Sequence, residues 1–516
     1  KKSPMEIGQN ICDAIGKTHL IEKCEVVNPG FINISVSNSA LTVSLEKEIE
    51  VPPYHLGKDK KIMFEYAHPN THKLFHIGHL RNITTGETLA RIFEAVGNTI
   101  IRVNYQGDVG LHIAKALYGL RKELTSRQDL RLSDLPLKQR IELLGKVYAK
   151  GNTAYESTDD AKQEIIAINR MIYEQDAEVM PLWEETREWS LEYFNTIYAR
   201  LGTTYDHLYF ESQMAKRALD LAKQATKDDI LSESDGAIVL KGESHGVDTR
   251  VFVNSLGFPT YEGKELALAE KESTDYGDLD KIIHVVGGEQ VSFFKTTFKA
   301  EELINPTIKN KQKHLVYGWV DVKGNKMSSR KGNVVEGAWL LDTAKQAIID
   351  QYHSDEMVAE TLAVGAVKYA FLKNGIASNV QFDLSDAITL QGDSGPYLIY
   401  SYVRARSILT KNGEKEIGTL SSLENISLNT EERSLLVALA KYDEGVTDAA
   451  MNFAPNTICL QLYVIAQKYN LMYQKWPILK EEDESIRALR LKLTQKTAVV
   501  LKHGLGLLGI QTVEKM

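Results

Sequence analysis

The chain has 516 residues, of which 43% are hydrophobic and 25% are charged, and these fractions are ordinary for globular proteins. They exclude a fibrous protein, a disordered chain and a small disulfide scaffold. At roughly 100–200 residues per domain, this length predicts about three domains and a large enzyme.

The net charge is −8, from 61 Lys and Arg against 69 Asp and Glu, and this balance alone does not decide for or against a nucleic-acid partner. Cys12, Cys24 and Cys459 are widely separated and form no C-x-x-C pair, so we expect neither a disulfide framework nor a zinc site. No stretch approaches the roughly 18 apolar residues that span a bilayer, and the N-terminus lacks the apolar core of a signal peptide. We therefore expect a cytoplasmic protein without membrane contact.

A small α+β domain is predicted at the N-terminus, over residues 1–55. A short helical pattern precedes an alternating strand pattern over residues 31–36, which follows the turn signal Asn28-Pro29-Gly30. The pair Pro52-Pro53 then interrupts the chain and indicates a domain boundary.

From Lys61 onward the pattern is that of an α/β protein. Residues 62–67 predict a buried strand, residues 77–96 a helix ended by Gly97, and residues 99–103 a second strand. Because a strand, a helix and a strand within about 45 residues form a βαβ unit, the sheet should be parallel.

A charged helical block separates this unit from later strands. One buried helix face is marked by apolar residues at i, i+3, i+7 and i+10, namely Leu191, Phe194, Tyr198 and Leu201. Strand patterns return at residues 236–240 and 282–286. We interpret the block, about 120–235, as a helical insertion between two halves of one nucleotide-binding sheet within a domain of residues 56–384.

The C-terminal residues 385–516 predict an all-α bundle, because strand patterns fade there and apolar residues recur at helical spacing. Two such stripes are formed by Ile458, Leu462, Ile465, Tyr469 and Met472, and by Ile486, Leu489, Leu493, Thr497 and Val500.

The first candidate motif for chemistry is His76-Ile77-Gly78-His79, where the first strand is followed by the helix. A helix N-terminus offers unpaired N–H groups and the positive end of a dipole, which suit a phosphate. His76 and His79 lie within one turn, so both imidazoles can face one anion, and Gly78 leaves room for a nucleotide. A chance cluster is the alternative interpretation.

The second candidate motif is Lys326-Met327-Ser328-Ser329-Arg330-Lys331-Gly332-Asn333. It places cations and hydroxyl groups in a short loop, which can close over a triphosphate while Lys326 and Lys331 neutralise the leaving pyrophosphate. Taken alone, a solvated surface turn explains the composition equally well.

In this order, on a parallel sheet with a helical insertion between them, the two motifs resemble the signatures of class I aminoacyl-tRNA synthetases. The resemblance implies a Rossmann-type catalytic domain between a tRNA-contacting N-terminal domain and an anticodon-binding bundle. Neither a Walker A motif nor an H-E-x-x-H motif occurs in the sequence. The residues implied in ATP binding are His76, Gly78, His79, Lys326, Met327, Ser328 and Ser329.

The surrounding sequence is similar to that of the arginyl-tRNA synthetase family. The similar segments span nearly the whole chain and are Gly30 to Asn33, Phe64 to Asn70 with Lys73, His79 to Asn82, Gly395 to Tyr397 with Arg404, and Leu507 to Ile510. The resemblance implies ligation of L-arginine to tRNA(Arg) in translation through an arginyl-adenylate. It implies ATP as substrate, Mg²⁺ with the ATP, no structural zinc, and a monomer.

The same resemblance implies an arginine pocket. A guanidinium is planar and permanently charged and presents five donors, so its pocket needs carboxylates and an aromatic hydroxyl or face. Glu65, Tyr261 and Glu265 fall where the family holds the guanidinium. Asn70 and Gln290 fall where it holds the α-amino and carboxylate groups.

The sequence departs from the family pattern at four places. Ser329 stands where the second signature has a second lysine, and Lys73, just ahead of the first signature, is placed to compensate. Glu265 replaces the usual Asp, which lengthens the side chain but keeps its charge. The segment 399–404 also departs from the common pattern, so the tRNA contacts of the bundle are the least determined. Val109 stands where a Trp is common.

RNA loops are commonly bound by stacking bases on aromatic rings and by contacts with phosphates. On this ground Tyr469, Tyr473 and Trp476 are candidates for tRNA contact, together with Arg404 from the family pattern. Tyr469 also lies on an apolar stripe, so a place in the core is the alternative for it.

Three other functions remain open at this point. A class I lysyl enzyme would also use an acidic pocket, and a cysteinyl enzyme would need a cysteine zinc site that the three cysteines do not form. A non-catalytic tRNA-binding paralogue is the third, although such a protein has no need of Lys73, His76, His79 and Lys326.

Overall fold

The computed structural model describes residues 2–16, 18–46, 60–127, 129–323, 335–413 and 427–516. Two compact units are present: one contains the described residues of 2–46, 344–375 and 383–516, and the other those of 60–343 and 376–382. The second motif lies outside the described residues. The roles of Lys326, Met327, Ser328, Ser329 and Lys331 therefore stay predictions.

The N-terminal elements are α1 (Pro4–Ile15), β1 (Ile21–Val27), β2 (Phe31–Val36) and α2 (Asn38–Glu46). Ser3 caps α1 by accepting a hydrogen bond from the Glu6 N–H at 3.2 Å. The strands β1 and β2 form an antiparallel hairpin whose turn holds a cis bond before Pro29. The predicted α+β character of this region is confirmed.

The expectation that the cysteines form no disulfide framework is wrong for one pair. Cys12 on α1 and Cys24 on β1 form a disulfide, with their Cα atoms 5.4 Å apart. The spacing in sequence could not show this, because the helix is brought against the hairpin by tertiary packing. Cys459 is free and buried.

The second unit carries the parallel sheet and the helical insertion. Its elements in chain order are β3 (Lys61–Glu65), α3 (Ile77–Ala95), β4 (Thr99–Gln106), α4 (Leu111–Ser126), α5 (Leu137–Ser157), α6 (Asp159–Glu174), α7 (Met180–Leu201), β5 (His207–Phe210), α8 (Glu211–Lys227), β6 (Ser232–Ser234), β7 (Ala237–Leu240), β8 (Arg250–Val253), α9 (Tyr261–Tyr276), β9 (Lys281–Gly287), α10 (Val291–Ile304), β10 (Gln312–Tyr317) and β11 (Val320–Val322).

Five of these strands form one parallel sheet in the order β10-β9-β3-β4-β5. The central strand β3 is almost wholly buried, as expected for a parallel sheet covered on both faces. The predicted strands near residues 62–67, 99–103 and 282–286 and the predicted helix over 77–96 are confirmed. The edge strands β5 and β10 carry polar residues and were not predicted.

One predicted strand does not belong to this sheet. Residues 237–240 form β7, which pairs antiparallel with β6 and β8 in a separate three-stranded sheet. The sequence pattern of a short apolar strand is the same in both settings, so it could not distinguish them. The helical insertion, predicted over about 120–235, consists of α4 to α7 and ends before β5, which pairs with β4 in the parallel sheet. The core shared by these helices includes Ile113, Leu117, Ile165 and Trp183.

The remaining elements are α11 (Gly337–Tyr352), α12 (Glu356–Leu372), β12 (Val380–Phe382), α13 (Leu384–Ala387), α14 (Gly395–Asn412), α15 (Thr430–Ala440), α16 (Tyr442–Asn452), α17 (Pro455–Lys475) and α18 (Glu484–Leu507). The predicted C-terminal bundle is confirmed, and all five residues of the first apolar stripe are buried on α17. In the described part of the chain, every helix falls short of the length and apolar character required to cross a membrane.

Candidate active site

The candidate site lies at the carboxyl edge of the parallel sheet. Glu65 is the last residue of β3, and Asn70 follows in the next turn. Gln290 follows the neighbouring strand β9 and precedes α10. Because β3 and β9 run parallel, these residues leave the sheet at the same edge, where open α/β sheets bind ligands.

The backbone just after β3 is strained. Ala67, His68 and His72 all have positive φ, at 89°, 49° and 62°. Two asparagine side chains hold this turn: Asn82 accepts from the Ala67 N–H at 2.6 Å, and Asn104 accepts from the His68 N–H at 3.2 Å. Backbone strain of this kind persists only where the surrounding contacts maintain it, and it is concentrated at functional sites.

The first motif begins α3, as predicted. The His76 N–H donates to Nδ1 of His79 at 3.1 Å, and the two imidazole rings stack with centroids 3.7 Å apart. A Cβ at position 78 would lie 2.9 Å from the His76 ring, so Gly78 is needed for this stack. The motif therefore forms a preset pair of rings at a helix N-terminus.

Both imidazoles are neutral at pH 7. Burial, with a further contribution from Lys73, lowers the pKa of His76 to about 4. Burial lowers the pKa of His79 well below its usual value, and the nearby basic groups His76, His68 and Lys73 act in the same direction. The pair can therefore give hydrogen bonds to an anion but does not supply positive charge.

The described residues that follow the second motif are hydrogen-bonded to the His76–His79 motif and to its neighbour Phe75. The Ile77 N–H donates to the Val335 carbonyl at 3.1 Å, and the Gly337 N–H donates to the Phe75 carbonyl at 2.7 Å. Glu336, between them, accepts from the Tyr193 hydroxyl at 2.7 Å. The chain thus contacts the His76–His79 motif directly after the second motif.

Glu65 and Glu265 are buried carboxylates of the same site, with exposed fractions of 1% and 9%. Oε1 of Glu65 lies 3.1 Å from Nδ1 of His284, while its Oε2 accepts no hydrogen bond from an N–H or hydroxyl group of the described residues. Burial and the negative charges of Glu65 and other nearby carboxylates raise the pKa of Glu265 well above its usual value. The two carboxylates therefore differ in ionisation.

Tyr105 on β4 belongs to this acidic site, although the sequence did not single it out. Its hydroxyl is buried and has no hydrogen-bond partner within the described chain. Burial and the charges of Glu211, Glu265 and Glu65 raise the pKa of Tyr105 well above its usual value. A buried hydroxyl among carboxylates is a suitable neighbour for a donor-rich cation.

Tyr261 opens α9, one turn before Glu265, because Thr260 caps the helix by accepting from the Gly263 N–H at 3.4 Å. Its ring is half-exposed, and Nζ of Lys264 lies 4.7 Å from the ring centre. Lys264 in turn forms a buried ion pair with Glu211. Neither Lys264 nor Glu211 was predicted, because their pairing joins two helices.

Asn70 and Lys73 lie in the turn between β3 and the histidine motif. A Cβ at position 107 would approach Oδ1 of Asn70 to 2.1 Å, so Gly107 is needed for Asn70 to lie over the end of β4. Burial lowers the pKa of Lys73, although the charge of Glu211 opposes this shift. Gln290 is exposed at the start of α10.

The candidate tRNA residues lie on the C-terminal helices. Arg404 on α14 donates to Asn470 at 2.5 Å and to the Tyr400 hydroxyl at 2.8 Å, and its guanidinium lies 5.0 Å from the Tyr473 ring centre. Tyr473 and Trp476 are exposed by 41% and 36%. We call Tyr400, Arg404 and Tyr473 the bundle cluster.

Tyr469 does not belong to the bundle cluster. Its ring has no exposed surface and packs in the core of the bundle. It therefore cannot stack on an RNA base in this structure, and its candidacy for tRNA contact is corrected. The apolar stripe on which it lies was the signal for the core.

Comparisons with known proteins agree with this geometry. Residues 42–384 match the family described as tRNA synthetases class I (R), catalytic domain. Residues 398–516 match the DALR anticodon binding domain, and residues 1–36 match the arginyl tRNA synthetase N terminal domain. The parallel sheet with its histidine motif is thus the catalytic domain of a class I aminoacyl-tRNA synthetase.

The relatives indicate which of the class I synthetases this chain is similar to. An arginine–tRNA ligase of Bdellovibrio bacteriovorus is 32% identical over 89% of this chain and 80% of its own length. One from Fusobacterium nucleatum is 30% identical over 100% of this chain and 90% of its own length. The arginyl-tRNA synthetase structure of Thermus thermophilus shares the fold, with a TM-score of 0.80 at 24% identity, over 100% of this chain and 92% of that one.

The chain belongs to the arginyl-tRNA synthetase family, a family of arginine–tRNA ligases. The resemblance noted in the sequence is therefore confirmed, and the lysyl and cysteinyl alternatives fall away.

Proposed function

We propose that this chain ligates L-arginine to tRNA(Arg) in two steps, through an arginyl-adenylate formed from ATP. The observation that carries the proposal is the pair of buried carboxylates, Glu65 and Glu265, at the sheet edge that also holds the His76–His79 motif. Two carboxylates in a buried site suit a permanent cation with several donors.

In the first step the arginine carboxylate attacks the α-phosphate of ATP, and pyrophosphate leaves. His76 and His79 donate hydrogen bonds to phosphate and ribose, as expected of neutral imidazoles. Lys73 supplies positive charge, and Lys326 and Lys331 join it from the second motif. No protein nucleophile takes part, because positioning and electrostatic stabilisation lower the barrier.

The arginine substrate is held at both ends. Glu65, Glu265 and Tyr261 bind the guanidinium, while Asn70 and Gln290 bind the α-amino and carboxylate groups. The support for this division is that Asn70 and Gln290 follow adjacent parallel strands, whereas Glu65 and Glu265 are buried deeper. The aliphatic part of the substrate then connects the two ends.

ATP enters as its magnesium complex and is a substrate. Among the residues that the structure describes, no three His, Cys, Asp or Glu side chains are grouped so as to hold a metal ion. In this proposal the ATP phosphates supply the main Mg²⁺ ligands, as is common for nucleotide-bound Mg²⁺.

The tRNA is bound by the predicted domains 1–55 and 385–516, while domain 56–384 carries the chemistry. The anticodon region is contacted by Arg404, Tyr473 and Trp476. In the catalytic domain, ATP is contacted by Met327, Ser328 and Ser329. The exposed rings and the match to an anticodon-binding domain support the assignment of the anticodon contacts.

We propose a monomer, which light scattering would report as a mass of 57.9 kDa.

Aminoacylation of total tRNA tests this proposal. Radiolabelled arginine, lysine and cysteine are supplied separately with MgATP, and we expect label on tRNA with arginine alone. Omission of ATP serves as the control and should abolish transfer. Charging with lysine would refute the substrate, and tRNA binding without charging by any of the three would identify a non-catalytic paralogue.

A further inference from the structure

His284 lies directly beside Glu65 in the sheet. It is on β9, its register partner on β3 is Glu65, and 2% of its surface is exposed. Its ring packs against Phe294 and Phe298 of α10, with centroid distances of 5.3 and 5.1 Å. The ring is therefore confined between the sheet and a helix.

His284 is one of four polar side chains that are hydrogen-bonded in a row. Nδ1 of His284 lies 3.1 Å from Oε1 of Glu65, and Nε2 lies 2.5 Å from Oε1 of Gln312 on β10. The amide nitrogen of Gln312 donates to Oε2 of Glu301 on α10. The row thus joins three adjacent strands and the helix that covers them.

The donor and the acceptor of each hydrogen bond can be assigned from the atoms that face each other. Gln312 directs its amide nitrogen to Glu301, which leaves its carbonyl oxygen facing His284. Both ring nitrogens of His284 then face oxygen atoms, and an N–H at Nδ1 donates a charge-assisted hydrogen bond to the carboxylate of Glu65.

Glu65 keeps its charge among buried carboxyl groups. Burial and the charge of Glu65 raise the pKa of each of Glu265, Glu272 and Glu301 well above its usual value. Burial tends to raise the pKa of Glu65 as well, but the charge and hydrogen bond of His284 outweigh it, with help from the charge of His68, whose Nδ1 lies 3.5 Å from Oε1, and from a hydrogen bond with Glu272.

We propose that His284 is a positioning residue for arginine recognition: it holds Oε1 of Glu65, with Gln312 and Glu301 fixing its ring, so that Oε2 is left for the guanidinium. This inference rests on the proposed function. His284 does not touch the substrate, since Glu65 lies between them. Oε2 of Glu65, which accepts no hydrogen bond from an N–H or hydroxyl group of the described residues, is the atom whose orientation the row determines.

The test compares two substitutions at one position. His284→Phe keeps a flat ring but removes both ring nitrogens, whereas His284→Asn places an amide nitrogen near the position of Nδ1. In aminoacylation kinetics we expect His284→Phe to raise the KM for arginine about 10–100-fold, the range for a lost hydrogen bond to a charged group. The KM for ATP should stay within about twofold, and His284→Asn should recover the arginine KM to within about fivefold of the wild type.

His314→Phe is the matched control. His314 pairs with His284 in the register of β10 and β9, but its Nε2 lies 3.1 Å from the Val286 carbonyl and it has no bond to Glu65. The arginine KM of this variant should equal that of the wild type. Gln312→Met extends the test if His284→Phe does not fold, and a rise of about threefold to tenfold in arginine KM is expected.

The outcomes separate the two claims. If the wild type charges arginine and His284→Phe keeps the wild-type arginine KM, this inference fails and the proposed function stands. Equal increases in arginine KM for His284→Phe and His284→Asn also overturn it, because ring packing would then explain the effect. If the wild type charges no arginine, both fail together.

Discussion

The proposed arginine pocket and the bundle cluster hold charged side chains in different ways. In the pocket, Glu65 and Glu265 are buried, and the ionisation of each depends on its neighbours. In the bundle cluster, Arg404 is held by the neutral groups of Asn470 and Tyr400 and lies against the exposed ring of Tyr473.

This difference matches the two partners. A small cation bound in a buried site can be selected by a few groups, because each unpaired charge there is costly. A long polyanion with unpaired bases is bound over a wide surface, where each ring adds a modest share. Single substitutions should therefore have large effects in the pocket and small effects in the bundle cluster.

Glu65→Gln should have the largest effect. The substitution keeps the shape but removes the charge that meets the guanidinium, and breaking one buried ionic contact costs about 3–5 kcal/mol. We expect kcat/KM for arginine to fall by about 10³-fold in aminoacylation, with the KM for ATP little changed. A fall of less than tenfold would show that this carboxylate does not bind the substrate.

His79→Ala should be next. The substitution removes a neutral donor at the helix N-terminus and one ring of the stacked pair. We expect kcat to fall by about 10²-fold, in the range for one lost donor in a transition state. The measurement is arginine-dependent aminoacylation at saturating ATP. Survival of kcat within about threefold would contradict the role, provided that the melting temperature is unchanged.

Arginine binding should strengthen as the pH rises above the usual titration range of a glutamate. The pKa of Glu265 is raised by burial and nearby carboxylates, so low pH keeps this group neutral and weakens its contact with a cation. The pKa of Glu65 is lowered, so Glu65 stays ionised throughout. Calorimetric titration should show a change in affinity of about tenfold. Glu265→Gln should bind weakly at every pH, and a flat profile in the wild type would contradict this account.

The bundle cluster should show the smallest effect. Tyr473→Ala removes an exposed ring, and we expect the KM for tRNA to rise about fivefold to tenfold, near the lower end for one stacking contact. Tyr469→Phe, on the same helix but buried, is the control and should leave this KM unchanged. A larger effect at position 469 than at position 473 would reverse the assignment of the two residues.

Features encoded by nearby residues were predicted from the sequence. The alternation and apolar runs of β3, β4 and β9, the helix α3 and the stripes of the bundle are all local patterns. The His76–His79 motif and the similarity of the flanking segments identified the family. Glu65 and Glu265 were named through that similarity.

Contacts between distant residues were decided by the tertiary structure. The disulfide of Cys12 and Cys24, the place of β7 outside the parallel sheet and the burial of Tyr469 each depend on which elements pack together. The pair His284 and Glu65 is separated by 219 residues, and only strand register places them side by side.

The amino-acid sequence by itself thus determined the class of fold and the family, because periodicity and motifs act over a few residues. The tertiary structure decided the charge states of the site. Ionisation in a buried site depends on every group within several ångströms, whatever its distance along the chain.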